Sequence, residues 1–199
     1  MKLWIEIAIL AYKWVQPFSE MQVIEMEVQK GFQNLSKRNM DFEEVFEHIL
    51  TFIKVQPSGS HRLIIGTDSQ VHSMYTRFIT GVVIQREGKG VWACYRSVNI
   101  ARRIESLQEK ISMETTYTQE VAYMFTPEKQ NQIIDLLLPY VNEGASFKMV
   151  GHLDLGRSTK NKTRVYVNEM IQRIESIGLE AEIKPDSFVA SSYANKYTK

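Results

Sequence analysis

The stretch that decides the fold is LIIGTDSQ, residues 63–70. It opens with a short, mainly apolar run that stops at Asp68, which is typical of a buried strand. A second run, FKMVGHLDLG at residues 147–156, has the same form and stops at Asp154. If the two strands are parallel neighbours, both carboxylates project from the carboxyl edge of the sheet, where α/β folds bind ligands.

The pattern around these runs predicts an α/β fold. Asp41 and Glu44 form a capping-box start for a helix that ends before QPSGS at residues 56–60. Later elements are predicted as a hairpin around residues 86–90, helices over 104–125, 126–143 and 159–177, a strand over 179–183 and a final helix opening at 184–187. The order predicts a mixed five-stranded sheet, with a three-strand antiparallel part plus parallel strands, and helices on both faces.

Composition limits the class of protein. The 199 residues include 44% hydrophobic residues, enough for an ordinary core, which excludes a disordered chain. The 24 basic and 23 acidic residues give a net charge of +1, which excludes a uniformly basic nucleic-acid coat but not a local patch. The single cysteine, Cys94, excludes an intrachain disulfide framework and a cysteine-based zinc site, and it suits a reducing compartment.

The first 15 residues, MKLWIEIAILAYKWV, are apolar and resemble a signal peptide. Glu6 and Lys13 interrupt them, no small-residue cleavage site follows, and the run is too short to span a bilayer. We therefore expect a cytoplasmic protein without membrane contact, with an N-terminal apolar or helical extension over residues 1–40 and one domain over 41–199. The extension packs on the domain, forms a homodimer contact, or reflects the choice of start site.

Further carboxylates are placed to join the two strand aspartates. Glu114 falls in the apolar stripe of a predicted helix between Ile111 and Thr118, whereas Glu120, the alternative, lies on another face. Asp186 follows the last strand. Converging carboxylates need cations, and oxygen ligands suit Mg²⁺ or Mn²⁺; two ions about 3.5–4 Å apart would clamp a phosphodiester. The competing interpretation of each acid is a turn residue, a helix cap or a solvated side chain.

The order strand-Asp, hairpin, helix-Glu, strand-Asp and late Asp resembles the ribonuclease H-like superfamily. The segments IGTDSQ (65–70), HLDLG (152–156), KPDSF (184–188) and KYTK (196–199) are similar to the YkuK-type family of predicted ribonuclease H-like nucleases. The resemblance covers roughly residues 41–199. It implies that Asp68, Glu114, Asp154 and Asp186 are catalytic metal ligands. Asp68 would bridge both ions, Glu114 and Asp154 would hold one, and Asp186 would hold the other and face the water.

A basic segment flanks the second aspartate. Residues 148–164 carry five basic side chains and one acid. The expected substrate-binding residues are Ser69, Gln70, Arg157, Ser158, Thr159, Lys160 and Lys162, since a helix start also attracts phosphate. His72 and His152 are candidate proton shuttles. A solvated basic helix face is the alternative for the segment, and simple hydrogen bonding is the alternative for the histidines.

These features favour a metal-dependent phosphodiester hydrolase acting on RNA, DNA or an RNA–DNA hybrid. The alternative is a non-catalytic nucleic-acid-binding or assembly module on the same fold. DLGRST at residues 154–159 also resembles the phosphate-binding hairpin of actin-like ATPases. Those proteins close two such domains around ATP, and 199 residues supply one. Spacing does not select the type of nucleic acid, nor endonuclease over exonuclease action.

Overall fold

The structure, a computed structural model, describes residues 26–28, 31–158 and 162–194. In these ranges the strands are β1 Met26–Val28, β2 Ser60–Val71, β3 Thr76–Arg86, β4 Gly90–Ile100, β5 Ser146–Leu153 and β6 Glu180–Ile183. The α-helices are α1 Phe42–Val55, α2 Leu107–Tyr123, α3 Pro127–Leu137 and α4 Val167–Glu175. Short 3₁₀ segments occupy Leu138–Glu143 and Lys162–Tyr166, and a π-helical turn occupies Val189–Ala194.

All described strands form one mixed sheet in the order β1-β4-β3-β2-β5-β6. The pairs β1–β4, β4–β3 and β3–β2 are antiparallel, and β2–β5 and β5–β6 are parallel. The five predicted strands and their directions are confirmed. The three-residue β1 adds a sixth strand at one edge, which the sequence pattern missed because three residues are too few to show strand periodicity.

Part of the N-terminal extension packs on this sheet. β1 pairs with β4, and the side chains of Phe32 and Met40 are buried in the main hydrophobic core. Residues 1–25, 29 and 30 lie outside the described ranges, so most of the extension, for which a homodimer contact was one of three alternatives, is not described. The boundary between residues 40 and 41 remains a prediction.

Strand β2 is longer than its apolar run indicated. It continues to Val71 because β3 pairs along its whole length, from His61 opposite Arg86 to Val71 opposite Thr76. Asp68 therefore lies inside the strand, and not in a turn that follows it. Both aspartates still lie at the carboxyl edge of the parallel strands, as expected. The parallel ladder between β2 and β5 ends at the pair Gly66–His152, two residues before Asp68 and two residues before Asp154.

Helical segments cover both faces of the sheet. On one face, Leu63, Ile65 and Val82 pack in a cluster with apolar side chains from all four α-helices. On the other face, Ile64 and Val150 pack against Val189 of the C-terminal turn. This division follows from the period of two in the strands, which sends successive side chains to opposite faces.

Local signals set the helix ends. The Asp41 side chain accepts a hydrogen bond of 2.8 Å from the Glu44 backbone N–H, and the Glu44 side chain accepts one of 3.1 Å from the Asp41 backbone N–H, so the predicted capping box begins α1. Helix α4 is shorter than predicted and follows the 3₁₀ segment, while Gly178, with φ 82°, lies just beyond its end as expected. In the part of the chain that is described, no helix has the length and apolar character needed to cross a membrane.

Candidate functional site

Three of the predicted acids come from three neighbouring elements. Asp68 lies on β2, Asp154 follows β5, and Glu114 lies on α2. Glu114 shares the buried face of α2 with Ile111 and Thr118 and is only 8% exposed. The helix thus directs a carboxyl group toward the sheet at a position where an apolar side chain would pack.

The three carboxyl groups influence one another electrostatically. Burial raises the pKa of Glu114 to about 8 and that of Asp68 to about 6. The charge of Asp154 raises the pKa of both, and the charge of Asp68 raises that of Glu114. The acids therefore lie within Coulombic reach of one another, and bound protons or nearby cations reduce their mutual repulsion.

Lysines supply that compensation. A cleft of about 200 Å³ beside the acids has five charged lining residues: Lys110, Glu114, Asp154, Lys162 and Lys184. The Nζ of Lys184 lies 3.0 Å from Oδ1 of Asp154, and the Nζ of Lys110 lies 3.9 Å from Oε1 of Glu114. Both lysines also lower the pKa of Asp68, against the effect of its burial.

Hydroxyl groups position the helix carboxyl group. The Oγ of Ser69 donates a hydrogen bond of 2.6 Å to Oε1 of Glu114. One turn farther along α2, the hydroxyl of Thr118 lies 2.9 Å from that of Thr67, which lies 3.0 Å from that of Thr80. These buried hydrogen bonds join α2 to β2 and β3, so the helix cannot rotate Glu114 away from the sheet without breaking them.

The other two candidate acids lie elsewhere. Glu120 forms an ion pair of 2.7 Å with Arg96 of β4, and it is Glu114 of α2 that lines the cleft. Asp186 follows β6, is exposed, and is absent from the cleft lining that the described residues form. From the same segment it is Lys184 that reaches the cleft.

The two candidate proton shuttles differ in their surroundings. His152 is fully buried: one ring nitrogen, Nε2, lies 2.8 Å from Oε2 of Glu182, and the other, Nδ1, accepts a hydrogen bond of 3.1 Å from the Val189 backbone N–H. Burial lowers its pKa to about 4, despite the nearby Glu182 carboxylate. His72 lies at the β2–β3 turn, where its ring stacks on Tyr75. His152 thus holds β6 and the C-terminal turn to β5.

The predicted substrate-binding residues are spread along the same edge. Lys162 lines the cleft, and Ser69 contacts Glu114. Arg157 and Ser158 are exposed near the cleft mouth, and Gln70 faces Arg77 across the β2–β3 ladder. Thr159 and Lys160 lie outside the described residues.

Sequence reasoning missed Lys110 and Lys184 as residues of the site. Lys110 precedes Glu114 by one helical turn, the spacing that places two side chains on one helix face. Lys184 directly follows β6, and the argument that placed Asp154 at the sheet edge applies equally to it. The helical spacing of Lys110 and the position of Lys184 after a strand are both visible in the sequence. Each places a lysine at the site only when the neighbouring helix or strand that carries the acid is also known.

The acids at the cleft offer oxygen donors of the type that hard divalent cations prefer, but their arrangement among the described residues does not form a metal centre. Oδ1 of Asp154 is buried and accepts no hydrogen bond from the described residues; its contact there is the ion pair with Lys184. Carboxylate oxygens of this kind suit Mg²⁺ or Mn²⁺. No group of three or more Asp, Glu, His or Cys side chains in the described ranges lies close enough together to form a metal centre.

Comparison with known proteins agrees with this architecture. The ribonuclease H-like family profile matches residues 44–199. The chain is 47% identical over 168 residues to the "Uncharacterized protein YkuK" of Bacillus subtilis (strain 168), an alignment that covers 84% of this chain and 96% of that protein. The search of solved structures found no significant match. The fold and these similarities together establish that the chain belongs to the YkuK-type family of ribonuclease H-like proteins.

Proposed function

We propose that this protein is a Mg²⁺- or Mn²⁺-dependent nuclease that hydrolyses phosphodiester bonds in RNA, DNA or an RNA–DNA hybrid. The observation that carries the proposal is the electrostatic coupling of Asp68, Glu114 and Asp154 beside a lysine-lined cleft at the carboxyl edge of the sheet. Membership of the ribonuclease H-like family supports the same chemistry. Asp186 remains a predicted fourth ligand.

Each group of residues has a separate task in this proposal. Asp68, Asp154 and Glu114 would hold the ion once nucleic acid and metal bind, and Ser69 keeps Glu114 oriented through its hydrogen bond of 2.6 Å. Lys110 and Lys162, at the cleft wall, attract the phosphate backbone. An ion held by these residues would supply Lewis acidity at the phosphoryl oxygen and a water molecule of lowered pKa.

A panel of labelled single-stranded RNA, single-stranded DNA, duplex and hybrid substrates tests the proposal, with Mg²⁺ or Mn²⁺ present. We expect wild type to cleave at least one substrate and Asp68→Asn to lose more than about 100-fold in rate, because one carboxylate charge at the ion is removed. Asp135→Asn, on the exposed side of α3, is the matched control and keeps wild-type activity. Equal cleavage by Asp68→Asn and wild type would contradict the site.

The second candidate is a nucleic-acid-binding module without turnover. The lysine ion pairs at Asp154 and Glu114 favour it, because they compensate the acids without any metal. Binding of the same substrates with no cleavage at any metal concentration would identify this case. For either function we also propose a cytoplasmic location and a homodimer contact through the N-terminal extension.

A further inference from the structure

The charged side chains of the cleft favour an anion. The lining contains three lysines, Lys110, Lys162 and Lys184, and two carboxylates, Glu114 and Asp154. Even with both carboxylates ionised, the lining carries a net charge of +1. Asp68 does not line the cleft in the part of the chain that the structure describes. Because a cleft with an excess of one charge concentrates ions of the opposite sign, this cleft should attract anions.

The carboxylates compensate the three lysines unequally. The Nζ of Lys184 lies 3.0 Å from Oδ1 of Asp154, whereas the Nζ of Lys110 is 3.9 Å from Glu114, beyond the length of an ordinary hydrogen bond. Lys162 is exposed, and it forms no ion pair with any residue in the described ranges. An anion in the cleft would therefore meet at least one ammonium group that no described carboxylate neutralises.

Neutral groups and size match this charge to a phosphate group. Gly156 and Thr163 also line the cleft, and Oγ1 of Thr163 accepts a hydrogen bond of 3.4 Å from the Gly156 backbone N–H. A hydroxyl oxygen that accepts a hydrogen bond can still donate its own hydrogen to a second partner. The cleft volume of about 200 Å³ lies below the range of ~300–1,000 Å³ that is usual for drug-sized ligands. One phosphate group therefore fits it better than a whole nucleotide.

We propose that the cleft binds a phosphate monoester, the group at a phosphorylated end of a nucleic-acid strand, through the ammonium groups of Lys110, Lys162 and Lys184. A monoester carries more negative charge than a backbone diester. It also continues into a nucleotide on one side only, which suits a cleft of this size. Recognition of the phosphate group needs no metal ion. Its assignment to nucleic acid rests on the proposed function.

Calorimetric titration of the full-length protein with inorganic phosphate, in EDTA, tests the site. Wild type should bind one phosphate per chain, and Lys162→Ala should bind it about tenfold more weakly, because a charged contact is lost. Lys162→Arg, which keeps the charge, should bind like wild type. The matched control is Lys148→Met, whose ammonium group lies outside the cleft lining and pairs with Glu180 at 2.9 Å, and its affinity should equal that of wild type.

Asp154→Asn gives a test of opposite sign. The variant removes a negative charge beside Lys184, so it should bind inorganic phosphate at least about threefold more tightly than wild type. Unchanged or weaker binding by this variant would overturn the inference. The same holds if wild type binds no phosphate, or if Lys148→Met and Lys162→Ala lose affinity equally. Circular dichroism checks that each variant is folded.

Single-stranded oligonucleotides with a 5′-phosphate, a 3′-phosphate or no terminal phosphate identify the source of the group. Fluorescence anisotropy in EDTA should show at least about tenfold tighter binding of one phosphorylated form. Equal affinities for all three would overturn the assignment to nucleic-acid ends. Cleavage by a protein that binds no phosphate would refute only this inference, and phosphate binding without cleavage would refute only the nuclease.

Discussion

The hydroxyl of Ser69 donates a hydrogen bond of 2.6 Å to the Glu114 carboxyl group, and both residues are buried. The contact joins the central strand β2 to helix α2, and it lowers the pKa of Glu114 against the larger effect of burial. Removal of one partner leaves a buried acceptor without its donor. The bond therefore stabilises the fold as well as the orientation of the candidate ligand.

We expect Ser69→Ala to lower the free energy of unfolding by about 1–3 kcal/mol, the usual effect of an unsatisfied buried acceptor. Urea denaturation followed by circular dichroism measures it. Ser73→Ala, at the exposed β2–β3 turn, is the control and should change the free energy of unfolding by less than about 0.5 kcal/mol. Equal stabilities of the two variants would show that the Ser69–Glu114 bond contributes nothing.

Lys162 should contribute one phosphate contact. We expect Lys162→Ala to weaken binding of single-stranded and duplex nucleic acid to a similar extent, and to reduce the slope of log K against log salt by about 1. Fluorescence anisotropy at several salt concentrations measures both quantities. Lys54→Ala, an exposed lysine on α1, should leave the slope unchanged. A slope that falls equally in both variants would mean that binding depends on total charge and not on the cleft.

Gly151 allows α4 to approach β5. A Cβ atom at this position would lie 2.5 Å from Cγ2 of Ile174, far inside van der Waals contact. We expect Gly151→Ala to destabilise the protein by about 1–3 kcal/mol through overpacking. In an Ile174→Ala background the same change should cost less, and a double-mutant cycle measures the coupling. Additive effects of the two substitutions would contradict the close approach.

His61 should make stability depend on pH. Its side chain is fully buried, and burial lowers its pKa below the ordinary value of about 6.5. Below pH ~6.5 the unfolded chain therefore binds more protons than the native protein, so the free energy of unfolding decreases as the pH falls toward the native pKa. Above pH ~6.5 His61 is neutral in both the native and the unfolded protein, so it no longer makes the free energy of unfolding depend on pH.

Urea unfolding at a series of pH values between about 4 and 8 tests this dependence. As the pH falls, the free energy of unfolding of His61→Gln should decrease less than that of wild type, because the variant has lost one of the buried neutral histidines. Some decrease remains, since the pKa of buried His152 is also lowered, to about 4. His48→Gln, at an exposed position on α1, is the control and should follow the wild-type curve. A His61→Gln curve parallel to wild type would contradict the assignment.

Much of the site was predictable because its signals are local. The apolar runs that lead to Asp68 and Asp154 identify neighbouring parallel strands, and the parallel ladder that ends at Gly66–His152 places both acids at the same edge. The stripe through Ile111 and Thr118 places Glu114 on the buried face of α2. These conclusions need only the period of a strand or helix, which the residues themselves carry.

Other features depend on where distant segments meet. The length of β2 was underestimated because its last residues are held by β3 and not by apolar burial. Asp186 and Lys184 come from one segment, and only the register of β6 on β5 determines that the lysine reaches the cleft. No period within the chain carries that information.

The sequence alone therefore determined the fold class and the position of the three acids at the sheet edge, and it predicted oxygen ligands in preference to cysteine for a proposed metal site. The tertiary structure decided how their charge is compensated. Lys110 and Lys184 face Glu114 and Asp154 because a helix turn and a strand register bring them there. Electrostatic energy depends on the distance between charges, and for residues that are far apart in the chain only the folded protein sets that distance.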